Sequence, residues 1–90
     1  MARKKQPALR IQQRKLGRHQ AKGLYHFPAR ANASPLIEID PRQTPIDELD
    51  TVCHEGLHHI FPDVTEEKIT AAGTALAKIL WAYGYRKVTQ

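Results

Sequence analysis

Apolar residues in the second half of the chain recur at helical spacing. Between Thr44 and Phe61, the side chains of Ile46, Leu49, Cys53, Leu57 and Ile60 fall on one side of a helix at about 100° per residue. Thr44 suits the N-cap and Pro45 the first helical position. Asp47 stands three residues after the cap, where its carboxylate can reach back and meet the positive end of the helix dipole. Pro62 ends the run. A second helix is predicted to start at once, with Thr65 as N-cap, Glu66 and Glu67 in the first turn, and Gly84 as its stop. Its core face is expected to hold Ile69, Ala72, Gly73, Leu76, Leu80 and Tyr83. The small residues around Gly73 favour close packing of one helix on the other, and Trp81, Tyr83 and Tyr85 are expected to seal the core.

Ahead of the helices the pattern changes to short runs rich in aromatic and β-branched residues. Gly23 to Phe27 and Pro35 to Asp40 are bounded by Pro, Gly, Asn and Ser and read as strands. The seven residues between them suit a hairpin loop, which favours antiparallel pairing. In the second strand Ile37 and Ile39 share one face, and Glu38 and Asp40 the other. Together these elements predict an α+β fold: a small antiparallel sheet of two or three strands packed on a helical hairpin.

Charge divides the chain differently. Residues 1–30 carry nine bases and no acid, whereas residues 31–90 hold all nine acids against five bases. Residues 1–20 are accordingly expected to form a basic, flexible arm, with one domain spanning residues 21–90. Through phosphate contacts, Arg3, Lys4, Lys5, Arg10, Arg14, Lys15 and Arg18 are candidates for binding nucleic acid. No aromatic residue stands among them to stack on bases. Ninety residues make one domain at most and bury only a modest core, for which a metal would be a suitable staple. No apolar run approaches the roughly 20 residues that span a bilayer, so no membrane association is expected. The single cysteine, Cys53, agrees with a reducing compartment and leads us to expect a cytoplasmic protein.

The chemistry concentrates in the first helix, as His54-Glu55-x-x-His58. Histidines four apart lie one above the other on the same flank of a helix, so two imidazoles can reach one ion. Zinc accepts neutral imidazole readily, and Glu55 is placed to take a proton from a zinc-activated water. A third protein ligand is then needed. Glu66 falls on the flank of the second helix's core face, close to the hairpin turn, whereas Glu67 points almost directly away. The alternative role for Glu66 is that of a first-turn acid favoured by the helix dipole. Asp63, His26 and Glu67 remain weaker candidates as metal ligands or as partners that orient one, and His59 is expected at the surface.

The segment Cys-His-Glu-Gly-Leu-His-His-Ile-Phe-Pro-Asp-Val-Thr-Glu-Glu-Lys-Ile, residues 53–69, resembles a group of short bacterial and phage zincin-like proteins. The likeness extends over about residues 35–86 and more broadly looks like the gluzincin type of metallopeptidase. It implies a minimal zincin-like fold, zinc on His54 and His58, Glu55 as the base, and Glu66 as the third ligand. The function to expect is a zinc-dependent metallohydrolase, most simply a metallopeptidase acting on a peptide or protein. The alternative is a small zinc-binding structural or interaction module, with the basic arm free to contact nucleic acid.

Overall fold

A computed structural model describes residues 8–17 and 21–88. The chain runs β1 (Arg10–Gln13), β2 (Gly23–His26), β3 (Leu36–Ile39), α1 (Pro45–Ile60) and α2 (Glu66–Tyr83). The α+β class holds, with three strands in the order β1-β3-β2. As expected, β2 pairs antiparallel with β3, Tyr25 facing Ile37. The sheet as a whole is mixed, because β1 pairs parallel to β3 with Ile11 opposite Ile37.

That third strand comes from the stretch expected to be a flexible arm. Arg10 N–H donates to the Pro35 carbonyl and Arg14 N–H to the Ile39 carbonyl, each at 3.0 Å. The four residues are exposed and have no alternating apolar pattern, so pairing with a distant strand, and not burial, makes them a strand.

The helix punctuation is realised residue by residue. Thr44 caps α1, its hydroxyl accepting from Asp47 N–H, and Pro45 opens the helix. Thr65 caps α2 by accepting from Lys68 N–H. At its other end Gly84 adopts φ 105°, the left-handed conformation that glycine enters at least cost. Gly84 N–H then bonds the Trp81 carbonyl and Tyr85 N–H the Leu80 carbonyl, a Schellman closure.

The layering departs from a hairpin laid across a sheet. Only α1 packs on the strands, against β2 and β3, and α2 packs on the opposite side of α1. One side of α1 sets Thr51, Glu55 and His59 against β2, while the other sets Asp50 and His54 against α2. Close approach of the helices depends on Gly73, where a Cβ would lie 3.1 Å from His54 Cα. The buried apolar core is small: Ile37, Ile39, Cys53, Ile69 and Ala77.

With α1 as its only neighbouring element among the described residues, α2 buries a narrow stripe. Ala72, Leu76 and Tyr83, expected in the core, are exposed, Tyr83 to 80%. Ile46 and Ile60, in the first and last turns of α1, are likewise exposed. Tyr85 also lies outside the core, and Arg86 stacks over Trp81, 3.3 Å from the ring centroid.

Candidate metal centre

Because α1 carries His54 and His58 one turn apart, their rings meet edge to face with centroids 4.9 Å apart. Their Nε2 atoms lie 3.2 Å from each other. The short turn after α1 brings the first turn of α2 beside them. There Glu66 sets Oε1 2.7 Å from His54 Nε2 and Oε2 2.7 Å from His58 Nε2. Both histidines are largely covered, whereas the Glu66 side chain is 66% exposed, so the carboxylate closes the cluster from the solvent side.

Among the described residues these three form a group whose donor atoms all lie within 4.8 Å of one another. A tetrahedral zinc with bonds of about 2.0–2.1 Å holds two nitrogens roughly 3.3 Å apart. The imidazole pair matches that spacing; Glu66, 2.7 Å from each nitrogen, stands closer, at hydrogen-bond distance, and completes a donor set of the two-histidine, one-carboxylate kind that zinc accepts. The residues therefore fit the ion.

Glu55 lies beside the cluster, its Oε2 3.9 Å from His54 Nε2. The residue is only 9% exposed, and no hydrogen bond reaches its carboxylate among the described residues. Burial pushes the carboxyl pKa up, His54 and His58 oppose the shift, and the Glu66 carboxylate adds to it. Its place is made by Gly23 on β2, where a Cβ would stand 2.6 Å from Thr51 Cγ2 and 3.0 Å from Glu55 Cγ. No pattern in the chain marks this glycine. Its only sequence signal is a glycine at the start of a strand, which often allows close approach of another chain segment.

The strand beside Glu55 is an edge strand. Asp40 N–H bonds the Lys22 carbonyl at 2.9 Å, which sets the antiparallel phase so that Lys22, Leu24 and His26 use their backbone groups on β3. Gly23 and Tyr25 therefore turn N–H and C=O outward. Hollows lie on both sides of Glu55 along this edge: Lys22, Asp50 and Thr74 line one, and Tyr25, Phe27 and His58 the other.

The weaker candidates separate cleanly. His26 is on the sheet face turned away from α1 and bonds Glu38 at 2.6 Å, so it cannot join the cluster. Asp63 and Glu67 are exposed and outside the group, the first in the turn and the second on the far side of α2. His59, expected to be a free surface residue, is half-buried, with Nδ1 2.9 Å from the Tyr25 hydroxyl. Of the basic candidates, Arg3, Lys4, Lys5 and Arg18 fall outside the described residues. Arg10 and Lys15 are exposed, and Arg14 donates to Glu38 at 3.2 Å, tying that base to the sheet. Among the described residues no helix is long and apolar enough to cross a membrane. No protein-family model, curated protein or solved structure matches the chain.

Proposed function

We propose that the chain is a zinc-dependent hydrolase acting on peptide bonds, in a reducing, cytoplasmic setting that suits its one buried thiol. The observation that carries the reading is the convergence of His54, His58 and Glu66 beside a largely buried Glu55, whose carboxylate lies 3.9 Å from His54. Zinc held by the three donors would supply Lewis acidity, polarising a carbonyl and acidifying water. Glu55 takes the proton from the attacking water and returns it to the leaving amine. A carboxyl with raised proton affinity suits both halves of that shuttle. The outward backbone groups of Gly23 and Tyr25 offer an extended substrate two positions at which to pair, so its carbonyl is held near Glu55.

A second reading also has an observation in its favour. The donors come from both helices, so an ion there would tie α2 to α1 and serve as a structural staple. The test is metal analysis of untagged, zinc-reconstituted protein, joined to peptide hydrolysis by the unaltered chain and by Glu55→Gln. One zinc per chain in both proteins, with turnover lowered about 10²–10⁴-fold in the variant, is expected of the enzyme. Stoichiometric zinc without hydrolysis assigns the site to structure. No zinc in either protein would sink both readings.

A further inference from the structure

The two hollows beside Glu55 differ in chemistry. Toward the start of β2 lies one of about 250 Å³, walled by the carboxylates of Asp47 and Asp50 and the hydroxyls of Thr70 and Thr74, with Lys22 as its one cation. Thr74 Oγ1 donates to the Asp50 carboxylate at 3.2 Å, fixing that charge at the wall. Toward the end of β2 lies one of about 320 Å³, walled on the strand side by Leu24, Tyr25 and Phe27, where the two rings pack edge to face at 4.7 Å between centroids, and on the helix side by His58 and Glu66 of the cluster. His54 and Glu55 line both hollows. Glu55, 9% exposed and without a hydrogen-bond partner among the described residues, thus marks the point where they meet.

Resting on the peptide-hydrolase reading above, we propose that this groove selects its substrate by chemistry and direction: an aromatic or apolar residue upstream of the scissile bond, a basic residue downstream. The acidic hollow outnumbers its lysine two carboxylates to one before Glu55 is counted, whereas the one further carboxylate of the aromatic hollow, Glu66, is engaged by His54 and His58 at 2.7 Å each, so it is the acidic hollow that favours lysine or arginine. The aromatic hollow favours a side chain that covers the faces of Tyr25 and Phe27.

Direction follows from the edge. Antiparallel pairing is the more stable way to extend it, and a peptide antiparallel to β2 enters at Phe27 and leaves at Lys22. Its N-terminal half then passes the aromatic hollow and its C-terminal half the acidic one.

The experiment measures binding, so that substrate is not consumed. A fluorescein-labelled ten-residue peptide with phenylalanine in its N-terminal half and arginine in its C-terminal half is titrated by anisotropy into full-length Glu55→Gln protein. Its sequence-reversed counterpart is titrated alongside, each with and without added zinc. The forward peptide is expected to bind about tenfold more tightly than the reversed one. Adding Asp50→Asn, which keeps an acceptor for Thr74, should remove most of that advantage, as should adding Thr70→Lys at an exposed helix position. Equal binding of the two peptides, or an advantage unmoved by both added substitutions, overturns the proposal. If the forward preference holds while the unaltered chain cleaves no peptide, the groove assignment stands and the hydrolase reading falls. Hydrolysis that is indifferent to direction leaves the hydrolase standing and removes the groove assignment.

Discussion

Glu38 and Glu55 are both buried glutamates, on opposite sides of the sheet, and their surroundings differ completely. Glu38, 2% exposed, faces away from α1 and accepts from His26 at 2.6 Å and from Arg14 at 3.2 Å. Burial alone would raise its carboxyl pKa, but the bonds from His26 and Arg14 outweigh it and hold the pKa below the ordinary value. Glu55 faces β2 with no hydrogen bond among the described residues, and burial pushes its pKa up. A hydrogen-bonded carboxylate holds a sheet together, whereas one without such bonds is kept ready to take a proton.

The sharpest way to break that contrast is to exchange each acid for its amide. Glu55→Gln should cost about 10²–10⁴-fold in turnover while leaving the denaturant midpoint little changed, since relief of the buried charge and loss of its attraction to His54 and His58 act in opposite directions. A lower midpoint would make Glu55 a structural residue. Next in size is Gly23→Ala, whose Cβ would collide with Thr51 and crowd Glu55. Overpacking of this kind costs about 2 kcal/mol, and the variant should lose turnover as Glu55 is pushed from the cluster. Alanine accommodated without loss in urea unfolding or rate would show that α1 can back away from the strand.

Glu38→Gln should be milder, about 1–2 kcal/mol, because two charge-assisted bonds weaken but Arg14 and His26 are themselves half in solvent. Chemical denaturation checks it, and no change would reduce the network to ornament.

The smallest effect is on pH dependence, where the two acids should act with opposite sign. Asp40 resembles Glu38: Arg42 and the Leu16 and Arg42 N–H groups hold its carboxyl far below the ordinary range. A depressed pKa contributes stability above the unfolded value of about 4 that is lost as pH falls through the folded value. Glu55 runs the other way, its contribution being lost as pH rises through its raised value. Melting curves from pH 3 to 7 should therefore show a shallower acid fall in Glu38→Gln and a gentler decline toward neutrality in Glu55→Gln.

How much of this was legible depended on distance along the chain. Caps and stops are local, so Thr44, Pro45, Asp47, Thr65 and Gly84 could be read directly. The pairing of His54 with His58 and the choice of Glu66 over Glu67 follow from helical rotation alone. Strand β1 could not be read, because its partner is residue 36 and beyond, and nothing in Arg-Ile-Gln-Gln announces a strand. The exposed side of α2 was hidden for a related reason: a helical wheel ranks faces without counting neighbours, and α2 has only one. Gly23 matters through what it lacks, which shows only once Thr51 and Glu55 stand against it.

Strand β1 is held by β3 and by neither helix. Its docking therefore rests on one short ladder and on the bonds from Arg14 to Glu38 and from Leu16 N–H to Asp40, and it can open alone at a free-energy cost well below that of unfolding the domain. Opening would carry Arg14 away from Glu38 but leave the β3–β2 ladder, and with it Gly23 and Tyr25, undisturbed. The sheet thus has a replaceable margin and a fixed one. Change can accumulate along β1, with the central strand as a buffer, without altering the edge that borders Glu55.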